Sequence, residues 1–351
     1  REKPMKMKTL GRTGIKVSEL CLGSMTWGTQ NTAEEGFDQI ERALDAGINF
    51  IDTAEMYPVN PVSAETVGRT ERIIGLWNED RNRRSDYILA TKHSGEGMMH
   101  RREGAPISSE TIPEAIDDSL RRLQTDYIDL YQFHWPNRGS YMFRKNWTFD
   151  PSDQDRASTI QNMEDCLGAL QREVDRGRIR AFGLSNESAW GTTQWIEAAA
   201  RTGGPRVATV QNEYSLLCRL YDTDMAEMSM NEDVGLLAFS PLAAGLLTGK
   251  YQGGTVPKGS RMDLNGDLGG RKTDRVFGAV DAYLDIAQRH GLDPVQMALA
   301  WCCTRPFMGS VIFGATSLDQ LEVALGTVDV TLSDEVLAEI DTAHRAHAMP
   351  Y

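Results

Sequence analysis

The sequence predicts an α/β protein whose strands close into a single (β/α)8 TIM barrel, with an N-terminal β-hairpin plug and two long loops on the catalytic face. Three observations point there. Short β-type runs alternate with amphipathic helical patterns almost to the end of the chain, the signature of βα units and a parallel sheet. Eight such runs fall at residues 20–25, 48–52, 87–92, 127–134, 179–184, 207–211, 235–240 and 310–314, and closing eight strands on themselves covers both sheet edges without a second domain. No shift of composition and no Pro/Gly/Ser linker divides the 351 residues, so residues 1–351 are expected to form one domain.

The elements follow in order. Met7 to Val17, with Gly11 and Gly14 between its arms, reads as a hairpin, expected to plug the end of the barrel opposite the chemistry. The helix after residue 108 carries Ile112, Ile116, Leu120 and Leu123 on one face, and the helix after 160 carries Met163, Leu167, Leu170 and Val174. Ser108-Ser109-Glu110-Thr111 supplies capping residues to the first, and Gly177 suits the C-terminal cap of the second. Cys302 and Cys303 sit in an alternating apolar helix and read as core. Residues 136–160 and 250–275 interrupt the rhythm after the fourth and seventh strands, on the catalytic face of a barrel, as expected covers for substrate and cofactor.

Composition narrows the function classes. With 40% hydrophobic and 25% charged residues the chain can bury a large core. A net charge of −13 speaks against nucleic-acid or anionic-membrane partners, whose phosphates need clustered Lys and Arg. Five cysteines with no CxxC spacing argue against a disulfide scaffold or structural zinc, and no metal is expected. No apolar stretch is long enough to span a bilayer, and Arg1-Glu2-Lys3-Pro4-Met5 lacks the apolar core of a signal peptide. A cytoplasmic protein starting naturally at Met5 or Met7 is expected, and the residues leave the oligomeric state open, a homo-oligomer included.

Three apolar runs end in groups that carry chemistry: Ile48-Asn49-Phe50-Ile51-Asp52, Tyr87-Ile88-Leu89-Ala90-Thr91-Lys92, and Tyr127-Ile128-Asp129-Leu130-Tyr131-Gln132-Phe133-His134. In parallel strands these ends converge at one rim of one sheet. Tyr57 follows Asp52 by five residues, so the same loop adds a phenol. A Tyr hydroxyl is a weak acid, with an unperturbed pKa of about 10. Lys92 beside it is expected to favour the phenolate and lower that value, while Asp52 holds Lys92 charged and oriented. His134 can then donate to, or orient, an oxygen beside Tyr57. Together they make a proton donor aimed at a carbonyl oxygen.

Asp52, Tyr57, Lys92 and His134, each in its corresponding strand or loop, resemble the catalytic tetrad of the aldo-keto reductases. The resemblance runs from Leu10-Gly11-Arg12-Thr13-Gly14 to the region of Gln320. It is closest to a bacterial branch sharing the run Leu123-Gln124-Thr125-Asp126-Tyr127 into His134-Trp135-Pro136. It implies an NADP(H)-dependent reaction in which hydride passes between nicotinamide and carbonyl carbon while Tyr57 transfers the proton. Ser185, Asn186 and Gln211 match the positions that bond the carboxamide, and Phe239 the aromatic under the nicotinamide. The run from Ser240 to Lys250, including Leu242, Gly245 and Leu246, resembles the segment wrapping the pyrophosphate, with Lys250 and Arg261 as phosphate contacts. Ser24, Met25 and Asp52 join the cofactor set by the same resemblance. Gly314-Ala315-Thr316-Ser317 opens a helix, a natural anion site; in the family this segment takes the 2′-phosphate, and Thr316 and Gln320 match its contacts. Where many relatives carry Glu-Asn for adenine, this chain has Val323 and Ala324, so NAD(H) stays in play beside NADP(H).

Trp27, Met56, Trp135 and the 136–160 insertion suggest an apolar mouth for a small-molecule carbonyl or alcohol, without choosing among aromatic, heterocyclic, bulky-ketone or sugar substrates. Besides a reductase, two readings stand open. One is an NADP(H)-binding redox sensor with weak turnover. The other is a Schiff-base lyase using Lys92, against which Asp52 argues, since that chemistry needs an unpaired, desolvated amine.

Overall fold

In the computed structural model, which describes residues 3–351, ten strands form two sheets. β1 (Met7–Thr9) and β2 (Lys16–Ser18) pair antiparallel as a hairpin. The others are β3 (Leu20–Gly23), β4 (Phe50–Asp52), β5 (Ile88–His93), β6 (Ile128–Phe133), β7 (Ile179–Ser185), β8 (Val207–Glu213), β9 (Gly235–Phe239) and β10 (Met308–Phe313). They pair in parallel in chain order, and β10 closes onto β3. The expected (β/α)8 barrel and its hairpin are thus present. Arg1 and Glu2, at the start of the Arg1–Met5 segment, lie outside the described residues.

The hairpin plugs one end of the barrel. Leu10, Ile15 and Val17 pack in one buried cluster with a residue from every barrel strand: Cys21, Phe50, Ala90, Leu130, Ala181, Ala208, Leu237 and Ile312. Three alanines in that ring leave the space the hairpin fills. Gly11, at φ +47°, closes the fit, because a Cβ there would sit 2.8 Å from the Ala208 carbonyl oxygen. β4 is shorter than the 48–52 expected because Asn49 serves the hairpin instead. Its side chain accepts from the Ser18 N–H (2.8 Å) and donates to the Lys16 carbonyl (3.0 Å).

The larger core lies between strands and outer helices. The helix Thr111–Leu123 buries Ile112, Ile116 and Leu123, and Ser108 and Thr111 exchange side-chain and backbone hydrogen bonds at its start. The helix Arg156–Asp175 begins earlier than the apolar pattern suggested, because Asp155 caps it by accepting from the Ser158 N–H (2.9 Å). The first insertion therefore spans residues 136–155. Cys302 is fully buried in the helix Pro294–Cys303, as expected of a core residue. Among the described residues no helix is long and apolar enough to cross a membrane.

Alternation along the strands then sets the site. Asp52, Lys92 and Gln132 follow Phe50, Ala90 and Leu130 by two residues, so they share the inner face one layer above the plug.

Candidate active site

Asp52, Lys92, Tyr57 and His134 meet at the rim opposite the plug. Lys92 is fully buried, and its ammonium donates to Asp52 Oδ2 (2.6 Å), the Thr53 carbonyl (2.8 Å) and the Tyr57 hydroxyl (3.3 Å). Asp52 Oδ1 accepts from Gln132 Nε2 (3.1 Å) and Gln211 Nε2 (2.9 Å), so both carboxylate oxygens are engaged inside the barrel. The His134 ring lies edge-on to Tyr57, centroids 5.9 Å apart, and its Nδ1 has no hydrogen-bond partner among the described residues. The Lys92 ammonium also lies 4.7 Å from the centre of the Tyr57 ring.

Burial dominates the electrostatics here. It pushes the Tyr57 phenol up, and the pull of Lys92 in the other direction does not bring it back to its ordinary value. This corrects the expectation of a lowered phenol: Lys92 acts in the expected sense, but desolvation and the Asp52 charge outweigh it. Burial would by itself push the Lys92 ammonium down, yet Asp52 and Tyr57 raise it above its ordinary value. His134 is held well below the usual imidazole range by burial and by Lys92, so its ring is neutral at pH 7.

The loop that carries Tyr57 rests on Glu55, a residue nothing in the sequence pattern singled out. Its fully buried carboxylate accepts from the Ser94 N–H (2.7 Å) and from both terminal nitrogens of Arg102, while its carbonyl accepts from Arg101 Nη2 (3.0 Å). Burial would raise this carboxyl, but His93, Arg102 and Ser94 hold it at about 2. A folded value below the unfolded one stabilises above the unfolded value and loses that contribution as pH falls toward 2. Glu55→Gln should therefore lower the urea midpoint at pH 7, and the gap to wild type should shrink by pH 3. A gap that does not depend on pH would show that the carboxylate charge contributes nothing.

The expected cofactor residues lie at the ends of the barrel strands or in the segments that follow them. Ser24 donates to the Asp52 carbonyl (2.7 Å), and Ser185 to the Gln211 carbonyl (2.8 Å). Asn186 Nδ2 donates to the His134 carbonyl (2.9 Å), whereas its buried Oδ1 has no partner among the described residues. Gln211 turns its amide nitrogen inward, to Asp52 and Gln132, rather than outward. Phe239, Ser240 and Leu242 stay half-buried at the end of β9, while Leu246 puts its side chain in the core. Gly245, at φ +93°, lets Lys250 fold close: a Cβ would meet Lys250 Cε at 2.8 Å. Arg261 reaches Met25 Sδ (3.8 Å), and the Asn60 side-chain oxygen accepts from Arg261 Nε (3.0 Å) in the amide orientation that satisfies both groups. Burial and Arg271 bring the Arg261 guanidinium down to about 10. Among the described residues neither Arg261 nor Lys250 has a carboxylate partner. Beyond the exposed Gly314, the helix Leu318–Leu325 is capped by Ser317, and Gln320 Oε1 accepts from the Thr316 N–H (2.8 Å) and hydroxyl (3.1 Å). Ala324 is buried and Val323 half-buried, so neither offers adenine a polar group.

Comparison with known proteins decides the family. Residues 19–345 match the aldo/keto reductase family. The chain belongs to the aldo/keto reductase family. It is 42% identical to the protein tas of Escherichia coli K12, over 99% of both chains. It is 34% identical to a probable voltage-gated potassium channel subunit beta of Arabidopsis thaliana (93% of this chain, 92% of the relative). It is 29% identical to an L-glyceraldehyde 3-phosphate reductase of Escherichia coli O157:H7 (97% and 93%). Family membership makes the chain an oxidoreductase.

On the aldo/keto reductase barrel the three expected substrate residues part company. Trp135 packs beside His134, ring centroids 5.1 Å apart, with its N–H to the Glu96 carbonyl (3.0 Å), and Phe143 of the first insertion meets it edge-on at 6.3 Å. Met56 is half-buried next to Tyr57. Trp27 does not belong with them: it is fully buried, its N–H reaches Gln39 (3.3 Å), and its ring packs near Gly36 of the helix Ala33–Asp45. Apolar size explains the error, since an indole suits a core as well as a mouth. Gln132 is the neighbour that sequence reasoning missed, whereas Phe143 belongs to the 136–160 insertion already expected at the mouth. Gln132 alternates in register with Leu130, which was a usable signal; Phe143 depends on how an irregular loop folds.

Proposed function

We propose that the protein is an NADP(H)-dependent oxidoreductase that interconverts an aldehyde or ketone and the corresponding alcohol, with Tyr57 as general acid and base. The observation carrying this reading is the convergence of Tyr57, Lys92, Asp52 and His134 in one buried constellation, with the phenol at the rim and the ion pair beneath it.

The residues present fit the nucleotide. Asn186 Oδ1 is a buried acceptor without a donor among the described residues, suited to a carboxamide N–H. Phe239 offers a half-buried ring, and Arg261 and Lys250 are cations without carboxylate partners among the described residues, suited to phosphates. The Thr316 to Gln320 segment would take the adenosine end, though Gln320 is already committed to Thr316. The bound nicotinamide would supply or accept the hydride.

The chain's own groups do the proton work. In reduction the Tyr57 hydroxyl gives its proton to the carbonyl oxygen as negative charge develops there. Lys92, 3.3 Å away, stabilises the phenolate left behind, and Asp52 keeps the ammonium charged and aimed. Neutral His134 orients the carbonyl oxygen without competing as an acid. In oxidation the same phenolate takes the proton back. Lys92 is no Schiff-base nucleophile, because its ion pair with Asp52 keeps it protonated.

Quenching of tryptophan fluorescence by NADPH and by NADH, followed by NADPH oxidation against aldehydes, ketones and sugars, tests the reading. Binding with turnover supports it; tight binding without turnover favours redox sensing; no binding of either nucleotide overturns both. Arg261→Met should weaken NADPH and NADH about tenfold each, the loss of one charge-assisted contact to the shared pyrophosphate. A loss confined to NADPH would move Arg261 to the 2′-phosphate.

A further inference from the structure

The end of β8 holds a second buried charge cluster, outside the proton-donating group. Glu213 is 2% exposed and sits two residues beyond Gln211. Its carboxylate is saturated. Oε1 accepts from Arg144 Nη1 (2.7 Å) and Arg271 Nη2 (2.9 Å), and Oε2 from Arg271 Nε (3.1 Å) and the Tyr351 hydroxyl (2.8 Å). Arg144 belongs to the first insertion and Arg271 to the second, so both covers end on one carboxylate. Arg144 also crosses directly to the second, donating to the Gly269 carbonyl (2.7 Å).

The consequence lies one strand away. Arg271 Nη2 also reaches Ser240 Oγ (3.4 Å), at the start of a segment whose backbone is held in the left-handed region at Ser240 (φ +50°), Ala243 (+51°) and Ala244 (+56°). Non-glycine residues keep such angles only where their surroundings enforce them. Phe239, directly opposite Glu213 in the β8–β9 register, begins this segment. The bidentate Arg271–Glu213 pair is therefore an anchor for the backbone expected to wrap the pyrophosphate.

We propose that Glu213 is a positioning residue of the cofactor site: through Arg271 it fixes the Phe239–Gly245 segment, and through Arg144 it ties the first cover loop to the same point, so the two covers hold and release nucleotide together. This rests on the NADP(H) reading above. Glu213 touches no reacting atom, so its loss should act on nucleotide residence and leave the proton chemistry alone.

The test is stopped-flow release of NADPH, followed by fluorescence, in Glu213→Gln and Arg144→Met and in the protein carrying both. Glu213→Gln should raise the release rate about tenfold or more, with the KM of the carbonyl substrate and the pH profile of the chemical step unmoved. Arg144→Met should do so more weakly, and the double variant should match Glu213→Gln rather than multiply the two effects. Unchanged release in a folded Glu213→Gln protein, or independent multiplicative effects, would overturn the proposal. Should Glu213→Gln not fold, Arg144→Met decides, because it keeps the Arg271 pair: amide exchange must then rise in residues 239–245, to which Arg144 makes no hydrogen bond of its own among the described residues, as well as in the first insertion. That exchange needs no nucleotide, so if wild type binds neither NADPH nor NADH the cofactor reading fails while the coupling of the loops is still decided. Exchange confined to the first insertion would sink the coupling.

Discussion

Replacing Tyr57 by phenylalanine should cut carbonyl reduction by about 10²–10⁴-fold, the range typical of a lost general acid, while NADPH binding stays within about twofold of wild type. The substitution removes one oxygen and leaves the ring, its edge contact with His134 and the Lys92 ammonium over its face in place. The Lys92–Asp52 pair also survives, so a folding defect is not expected to mimic the loss. The pH profile gives a second readout. Burial raises the Tyr57 phenol despite Lys92, so wild type keeps a protonated donor through neutral pH and the reduction rate falls only on the alkaline side, above the ordinary tyrosine value. His134 is held far below the usual imidazole range and should contribute no inflection between pH 6 and 7. Full activity in Tyr57→Phe, or a steep limb near pH 6.5 abolished by His134→Gln, would discard the assigned roles.

Much of this site was legible because it hangs on regular structure. Asp52 ends one parallel strand, Lys92 is the penultimate residue of the next and His134 directly follows a third, so period-two alternation and barrel closure bring them together whatever the loops do. Leu10, Ile15 and Val17 were readable as a plug for the same reason, since an apolar hairpin ahead of the first strand needs an apolar end to cover. Three things were not legible. Trp27 looked like a wall of the mouth, but whether an indole faces core or solvent depends on the turn after β3, which sequence periodicity does not reach. The net direction of the Tyr57 shift depends on how much water the folded rim excludes, which is a property of packing rather than of residue identity. Glu55 and Glu213 read as ordinary loop-end and strand-end acids. Only the folded chain brings Arg102 to the one and Arg144, Arg271 and Tyr351 to the other, from sequence distances no local pattern encodes.

Lys92→Met should cost both activity and stability, and the two losses have separable causes. Activity falls to a level comparable with Tyr57→Phe, because the phenolate loses the cation 3.3 Å away, and the alkaline limb of the residual rate moves upward as the phenol becomes a still weaker acid. Stability falls by about 3–5 kcal/mol, the usual result of removing one partner from a buried ion pair, because Asp52 is left in the barrel with only the amide donors of Gln132 and Gln211. The sign with pH follows from the raised ammonium: its contribution is complete below the unfolded lysine value and is lost only as pH rises through the higher folded one. Urea midpoints of wild type and variant should therefore differ by a constant amount from pH 7 to 9 and converge at more alkaline pH. Adding Asp52→Asn to Lys92→Met removes the stranded charge, and the double variant should regain most of the stability while remaining inactive. Recovery of activity along with stability would mean that the pair serves only to hold the barrel together, and that Tyr57 acts without it.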